Sequence, residues 1–288
     1  MANQLSININ IMKQAHTHID WSTSTIALLT KHHKQPMIEP ALSQLGVRLF
    51  TTDQFDTDTL GTFSKEIPRT LNALECAKKK AYLAAKMTGE RFGLGSEGSF
   101  GGGPYPGIVQ WDDEILVLHD SDANEDIVSI ASGPVPLRSV EFKHIDQLSE
   151  TLWQTPTQGW MLNINNAWFK GITTQQQLKT ILKQHHWESG QPLTLQPDLR
   201  AMHCPPRQHM IKKAAEQLAN RMQSRCPQCN TPDFWVSKTR SGLPCKTCQL
   251  PTQVARCAIK QCKFCDFTLE QPNEHKYANP SHCQFCNP

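Results

Sequence analysis

Residues 226–286 carry four C-x-x-C motifs, which read CPQC at 226–229, CKTC at 245–248, CKFC at 262–265 and CQFC at 283–286. A C-x-x-C turn points two sulfurs at one ion, and a second such turn completes a tetrahedral site. Fifteen residues separate the first motif from the second and seventeen separate the third from the fourth, which is the spacing of a four-thiolate zinc ribbon. We therefore predict a double zinc ribbon, in which each site is built from two consecutive motifs.

The predicted zinc ligands are the eight cysteines of these motifs: Cys226, Cys229, Cys245, Cys248, Cys262, Cys265, Cys283 and Cys286. A structural zinc site contributes roughly 10 to 16 kcal/mol to folding, so the metal decides the fold of a short segment with few large apolar residues. Both sites are expected to be structural, and His275, His282 and Cys257 are then bystanders. Disulfides are the main alternative, and an iron site or a redox dithiol also stays open.

Composition predicts a soluble globular protein, with 38% hydrophobic and 19% charged residues. We expect a cytoplasmic protein with no membrane partner, because no apolar run approaches roughly 20 residues and the first residues do not resemble an export signal. The net charge of +3 is uneven, since residues 1–198 hold 16 basic and 21 acidic side chains and residues 199–288 hold 13 and 5. Two zinc–thiolate sites would reduce the +8 of the second part to about +4, which leaves a mildly basic face.

Before the cysteine motifs, apolar runs of strand length alternate with longer segments of helical period. Residues 24–30 and 47–52 read as strands, and the longest helix is predicted over 68–88. A short strand then runs into a glycine-rich turn within 93–103, and a hairpin turns near 120–124. We predict an α/β fold with a mixed sheet flanked by helices. The expected parts are an N-terminal extension (1–23), an α/β domain (24–224) and the double zinc ribbon (225–288).

Three motifs of the α/β region resemble the inosine triphosphate pyrophosphatase superfamily, which includes the Maf-like proteins. Thr30 and Lys34 in TKHHK match a strand that ends in Thr and is followed by a Lys. Glu75 and Lys80 belong to a helix with the family spacing E-x-A-x-x-K-A, and Glu97 lies in GSEGSFG after the next strand. The chain departs from the pattern where the first loop lacks the usual Asn and where Ser and Glu replace paired aspartates.

The resemblance implies a nucleotide pyrophosphatase or phosphohydrolase with Mg²⁺ as its cofactor and a nucleotide or similar phosphorylated small molecule as its substrate. Carboxylates would hold Mg²⁺ on the phosphate oxygens, and lysines would neutralise the developing charge. The residues it implies are Glu75, Lys80 and Glu97 for catalysis, and Thr30, Lys34, Ser96, Gly98, Ser99 and Arg207 for substrate binding.

Structural explanations stay open for the same residues. Glu75 and Lys79 are four residues apart on a helix, where a solvated ion pair explains both. The lysine run 78–80 is typical of a solvated helix face, and the glycine-rich segment of a flexible turn. Cys76 and Cys204 are predicted to be small buried apolar residues.

The chain also resembles an uncharacterised bacterial domain family with the same cysteine-rich tail. The resemblance rests on FDTDTLGTFSKEIPR (55–69), GLGSEGSFG (93–101), LPCKTC (243–248) and CNP (286–288), and it implies no activity. The alternative function is therefore a non-catalytic module, in which the zinc ribbons bind nucleic acid or a protein and the α/β domain is a scaffold. Four aromatic residues of the ribbons could either stack on bases or pack around zinc: Phe234, Trp235, Phe264 and Phe285.

Overall fold

The computed structural model describes residues 19–31, 33–53, 55, 71–101, 103–104, 108–155 and 157–288. The predicted start of the longest helix at residue 68 and nearly all of the 55–69 motif lie outside these residues. The chain forms two compact units, Trp21–Ala219 and Asn220–Pro288, and Ile19 and Asp20 belong to the second.

A mixed five-stranded sheet with the order β2-β1-β3-β4-β5 lies in the larger unit, which confirms the predicted α/β class. β1 pairs in parallel with β2 and β3, and β4 and β5 extend the sheet as an antiparallel hairpin. The strands are β1 (Thr25–Leu29), β2 (Arg48–Thr52), β3 (Phe92–Phe100), β4 (Trp111–Asp120) and β5 (Glu125–Pro134).

β2 and β3 lie on opposite sides of β1 in the sheet. The chain passes through α1 (Gln35–Leu42) to β2 on one side of β1, and then through α2 (Ala73–Thr88) to β3 on the other. Open α/β sheets bind ligands at the carboxyl ends of the strands next to such a switch point. β1 ends with Leu29 beside Gly95, whereas β3 continues to Phe100. The last residues of β3 therefore extend past β1 at this position.

The ends of α2 have standard capping signals. Asn72 is the N-cap: its side chain accepts a hydrogen bond from the backbone of Glu75, whose own side chain accepts one from the Asn72 backbone. This capping box satisfies amide groups that the first helical turn leaves without partners. Gly89 ends the helix with φ +74, a left-handed conformation that suits glycine.

Residues 93–100 of the glycine-rich segment belong to a strand, so the turn was predicted too early; the chain bends only after Phe100, where Gly101 and Gly103 have positive φ. β3 runs as a regular strand to Phe100 and pairs along its length with β4. Two of its glycines are needed because α2 packs very close to the sheet: a Cβ on Gly93 would lie closer than 3.0 Å to the Ala81 carbonyl oxygen, and one on Gly95 equally close to that of Ala77. The glycines therefore allow helix and strand backbones to approach.

A second sheet in the same unit is antiparallel, with the order β6-β9-β7-β8. Its buried face packs against α3 around a core that includes Phe142, Leu162, Leu178 and Leu195. The expectation of one mixed sheet was therefore incomplete. The elements are β6 (Val140–Phe142), β7 (Trp160–Ile164), β8 (Ala167–Ile172), α3 (Gln175–Gln184) and β9 (Leu193–Pro197).

The last helix, α4 (Pro205–Gln223), packs on the five-stranded sheet opposite α2. Ser129 of β5 donates a hydrogen bond to the Ala214 carbonyl at 2.9 Å, and it pairs in register with Leu116 of β4. The alternate residues of β4, such as Val117, face the alanines of α2 instead. In the part of the chain that the structure describes, no helix is long and apolar enough to cross a membrane.

The second unit contains a three-stranded antiparallel sheet with the order β10-β11-β12. Its strands are β10 (Trp235–Ser241), β11 (Ala255–Gln261) and β12 (Thr268–Pro272). Arg221 near the end of α4 donates two hydrogen bonds to the Asp233 carboxylate, at 2.6 and 3.1 Å, just before β10 begins. Most residues of β10 and all of β12 are exposed, so this sheet buries little apolar surface of its own.

We expect Gly93→Ala to destabilise the larger unit by about 1 to 3 kcal/mol or more, because its Cβ would push apart two rigid backbones. Gly133→Ala is the matched control in β5, where the new Cβ would meet only the flexible end of Met210. Urea unfolding of both variants measures the difference. Equal losses at the two positions would contradict the close packing of α2 on β3.

Candidate functional site

The eight cysteine sulfurs form two groups of four, and all the ligand atoms within a group lie within 4.8 Å of one another. Individual Sγ–Sγ distances are 3.5 and 3.6 Å in the first group and 3.6 and 3.9 Å in the second. Tetrahedral zinc with Zn–S bonds of about 2.3 Å places its sulfurs about 3.8 Å apart, whereas a disulfide bond is about 2.05 Å long. The geometry therefore fits two zinc sites and does not fit disulfides. The first group is Cys226, Cys229, Cys262 and Cys265, and the second is Cys245, Cys248, Cys283 and Cys286.

The motifs pair as first with third and second with fourth, so the predicted consecutive ribbons are wrong. The three-stranded sheet explains the difference. Trp235 at the start of β10 and Thr268 at the start of β12 both pair with Gln261 at the end of β11. The first and third motifs therefore meet at this end of the sheet, and the second and fourth meet at the other. A seven-residue strand spans about 20 Å, so consecutive motifs are too far apart to share one ion.

The surroundings of the two cysteine groups differ. Phe234 and Phe264 pack around the first group, and the Arg221 guanidinium lies 5.7 Å from the ring centroid of Trp235. Phe285 of the fourth motif is 69% exposed. Of the four aromatic residues considered for base stacking, packing therefore accounts for the two phenylalanines at the first group, while Phe285 is on the surface.

The remaining cysteines and histidines lie outside both groups. Cys257 is buried in β11, with its sulfur 3.8 Å from a Glu270 carboxylate oxygen. Among the described residues, neither His275 nor His282 belongs to a metal-ligating group. Cys204 is buried as predicted, and burial raises the pKa of its thiol to about 11.

A cluster of buried charges lies where β3 extends past β1. Lys34, at the N-cap of α1, donates a hydrogen bond to Ser96 Oγ at 2.9 Å, and its Nζ lies 3.8 Å from Glu114 Oε2. Arg207, in the first turn of α4, donates from Nε to Glu114 Oε1. The Lys34, Glu114 and Arg207 side chains are between 1% and 5% exposed. Residues from four elements thus converge on one face of the sheet.

Gly98 makes room for the ion pair between Arg207 and Glu114. It pairs in register with Glu114, and a Cβ at this position would lie closer than 3.0 Å to both the Arg207 guanidinium and the Glu114 carboxylate. This glycine was predicted to bind substrate through its backbone. In the structure the absence of a side chain at this position allows two charged groups to be buried against the strand.

Asp112 is the most unusual member of the cluster. It pairs in register with Phe100 and is completely buried, yet neither of its carboxylate oxygens has a hydrogen-bond partner among the described residues. Glu114 Oε2 likewise has none. Burial, and secondarily the charge of Glu114, raise the pKa of Asp112 to about 7, against the opposing influence of Arg207 and Lys34. Such acceptors are costly to bury, and each one calls for an explanation.

The opposite face of β3 carries a second ion pair. Glu97 accepts a hydrogen bond from Lys80 of α2 at 2.5 Å, and both side chains are about nine-tenths buried. The charges of Lys80 and Glu97 are close enough to the first face to affect the pKa of Lys34. Burial lowers the pKa of Lys34 to about 8, with Glu114 as the strongest opposing influence.

Six of the nine residues that the resemblance implied form two groups on the two faces of β3: Lys34, Ser96, Gly98 and Arg207 on one face, and Lys80 and Glu97 on the other. Glu75 is exposed and completes the capping box of α2. Thr30 donates its backbone N–H to Thr52, and Ser99 lies on the strand face that also carries Glu97.

Sequence reasoning missed the two carboxylates of β4. Asp112 and Glu114 belong to WDDEILVLHD, which was interpreted only as a hairpin strand. The available signal was their two-residue spacing at the start of an apolar strand, which puts both on one face. That pattern alone does not show that the face is buried.

A groove of about 630 Å³ lies beside this cluster in the larger unit. Phe100 and Leu199 line the groove, and both also contact Arg207. The Phe100 ring centroid lies 5.7 Å from the Arg207 guanidinium, and the Leu199 carbonyl accepts a hydrogen bond from Arg207 Nη1 at 2.6 Å. Gln110 and Gln196 add amide groups to a largely apolar lining. The groove has room for a partly polar group next to the charges.

Comparison with known proteins gives one family. The family model described as a domain of unknown function, DUF6671, matches residues 80–288, more than two thirds of the chain. The chain belongs to the DUF6671 family. No curated protein and no solved structure matches it. The DUF6671 region includes Glu97, Asp112, Glu114, Arg207 and both cysteine groups, whereas Lys34 precedes it.

Paired cysteine substitutions test the arrangement of the two metal sites. We expect about two zinc ions per chain, and one in Cys226→Ser/Cys262→Ser, because both cysteines belong to one group. Cys226→Ser/Cys245→Ser should impair both sites, because these two cysteines belong to different groups. Elemental analysis of protein purified without added metal gives the counts. Consecutive ribbons would produce the reverse, with the first double variant losing both ions.

The lowered pKa of Lys34 predicts a pH-dependent stability. Between pH 8 and 10.5 the unfolded chain binds a proton at Lys34 that the folded chain does not, so this residue makes the folded state more stable as pH rises. Relative to Lys34→Met, the unmodified protein should gain on the order of 3 kcal/mol across this interval. Urea unfolding at pH 8 and 10 measures the gain, with exposed Lys79→Met as the control. Parallel pH profiles for the protein and Lys34→Met would contradict it.

Proposed function

We propose that the charge cluster binds the phosphate groups of a nucleotide or similar phosphorylated small molecule, and that the protein is a Mg²⁺-dependent phosphohydrolase or pyrophosphatase. The observation that carries the proposal is the convergence of Lys34 and Arg207 with Glu114 and Asp112 on one face of β3, towards its carboxyl end. The Lys80–Glu97 ion pair lies on the other face of the same part of the strand. Phosphoryl transfer depends mainly on positioning and on neutralising charge, and such a cluster supplies both. The resemblance to the inosine triphosphate pyrophosphatase superfamily supports the same chemistry.

The position of the cluster also supports a binding role. Ligands of open α/β sheets lie at the carboxyl ends of strands beside a switch point, and this cluster lies at such a point between β1 and β3. The groove beside Phe100 would accept the part of the substrate that carries no phosphate. Gln110 and Gln196 offer hydrogen bonds to a ring in that groove.

The roles of individual residues follow from their contacts. Lys34 and Lys80, which donate to Ser96 and Glu97, would each donate to phosphate oxygens as well, and bound Mg²⁺ would polarise the phosphate. Lys80 holds the Glu97 carboxylate in position near the carboxyl end of β3. Arg207 is almost completely buried and paired, so we assign it to positioning Glu114 rather than to direct contact with the substrate. Glu75 has no assigned catalytic role, because it caps α2.

A second candidate function concerns the second cysteine group. Leu250 and Tyr277 are 42% and 38% exposed, and Phe285 is 69% exposed. All three are close to Cys245. The Cys245 N–H donates a hydrogen bond to the Leu250 carbonyl, and Cys245 forms an isolated β-bridge with Ala278, the residue after Tyr277. The Cys245 sulfur lies 3.9 Å from that of Cys286, the residue after Phe285. Exposed apolar groups around a zinc site are typical of an interaction surface, and aromatic rings among them could stack on single-stranded nucleic acid.

Turnover of nucleoside triphosphates, common and damaged, tests the first candidate. With Mg²⁺ or Mn²⁺ we expect release of phosphate or pyrophosphate by the full-length protein, and a loss of at least about 100-fold in kcat for Lys80→Met, because charge neutralisation is lost. Lys79→Met is the matched control on the same helix, with an exposed side chain, and should retain activity.

Removal of Lys80 alone leaves Glu97 buried without its partner, which can destabilise the fold. The double variant Lys80→Met/Glu97→Gln removes both charges, so it should fold well and still lack activity. Absence of turnover by the unmodified protein with all of these nucleotides would refute the proposal. Binding of a single-stranded oligonucleotide that weakens steeply with salt and is lost in Phe285→Ala would then favour the second candidate.

A further inference from the structure

Three oxygen atoms buried in the charge cluster lack hydrogen-bond donors among the described residues. They are both carboxylate oxygens of Asp112 and Oε2 of Glu114, and both residues are 0% exposed. Leaving such groups unsatisfied costs roughly 1 to 3 kcal/mol each, and more for charged groups. Buried acceptors of this kind indicate a ligand that supplies positive charge or protons.

The geometry of β4 directs the two carboxylates towards one place. Asp112 and Glu114 are two residues apart on one strand, so their side chains point to the same face about 7 Å apart at Cα. Asp112 pairs with Phe100, whose ring lies beside the Arg207 guanidinium, and Arg207 holds Glu114 through its other oxygen. Carboxylate side chains at this separation can place oxygens on one metal ion.

The protein cations nearby do not satisfy these oxygens. Lys34 Nζ lies 3.8 Å from Glu114 Oε2, which is beyond a hydrogen bond, and it donates to Ser96 instead. Arg207 uses Nε for Glu114 Oε1 and Nη1 for the Leu199 carbonyl. A ligand that binds several carboxylate oxygens at once is therefore a better partner than either side chain.

We propose that Asp112 and Glu114 bind a divalent cation such as Mg²⁺ or Mn²⁺, which completes its coordination with water and with phosphate oxygens. Mg²⁺ in proteins is typically held by one or two carboxylates together with substrate phosphates. The inference rests on the proposed function for its phosphate ligand, and it differs from the sequence expectation, which gave the metal to Glu75 and Glu97.

The charges of the cluster predict that the ion and a phosphate bind together. Asp112 and Glu114 balance Lys34 and Arg207, so a divalent cation alone would leave the site with excess positive charge. Phosphate restores neutrality. Inorganic phosphate should therefore tighten cation binding by roughly tenfold, which is within the usual range of coupling between two ligands.

Mn²⁺ binding to the zinc-loaded full-length protein, followed by electron paramagnetic resonance, tests the site without any need for turnover. We expect one Mn²⁺ per chain, tightened by inorganic phosphate, and an affinity at least about tenfold lower in Asp112→Asn. Asp113→Asn is the matched control, because Asp113 is the next residue on β4 and faces the other side of the strand. It should bind Mn²⁺ like the unmodified protein.

Asp112→Asn removes a buried charge without a partner, so its melting temperature should be unchanged or higher. If the Asn variant fails to fold, Asp112→Ser provides the same comparison. Absence of Mn²⁺ binding, or equal losses in Asp112→Asn and Asp113→Asn, would overturn the inference.

The outcomes also separate this inference from the proposed function. Mn²⁺ binding that depends on Asp112, in a protein that hydrolyses no nucleotide, would support the metal site and refute the hydrolase. Metal-dependent turnover that survives in Asp112→Asn with unchanged Mn²⁺ affinity would refute the metal site and leave the hydrolase standing.

Discussion

The Glu114 carboxylate lies on a sheet face that α4 covers, and burial there requires a partner of opposite charge. Arg207 supplies that charge from the first turn of α4, and the pair is almost completely excluded from solvent. Gly98 must lack a side chain for the pair to fit. Breaking a buried pair by removing one partner typically costs about 3 to 5 kcal/mol, so this contact holds the register between α4 and the sheet. Lys34 and Asp112 lie beside this ion pair.

A different constraint governs the second unit, where the exposed strands bury little apolar surface. A sheet of this kind cannot supply much folding energy from a core, and zinc bound by the two cysteine groups would replace that contribution. Each cysteine group joins turns that are distant in sequence, so an ion at each group would act as a cross-link. Phe234 and Phe264 add a small apolar cluster at the first group. The second group would therefore depend more completely on metal binding.

Local signals in the sequence were sufficient for much of the fold. β1, β2 and the hairpin of β4 and β5 follow from apolar runs and turn residues, and Gly89 ends α2 as its position suggests. The errors concern information that is not local. The glycines of β3 serve a helix contact rather than a turn, and the cysteine motifs pair according to strand order. Glu75 fits both a catalytic motif and a capping box, and only the structure of the helix end separates the two. The buried carboxylates Asp112 and Glu114 needed knowledge of which sheet face α4 covers.

The cluster as a whole is close to electrically neutral, so the proposed binding of an anionic substrate needs an explanation. A lysine ammonium carries three donors on a flexible stem, so it can bind a second acceptor without giving up the first. A phosphate that binds Lys80 beside Glu97 and Lys34 beside Ser96 would leave Glu97 with its partner. The unpaired oxygens of Asp112 and Glu114 then favour a metal ion that accompanies the phosphate. A purely structural network would have paired these oxygens within the protein, since unsatisfied buried acceptors reduce stability. Their cost to the fold is understandable if the missing partner is a ligand.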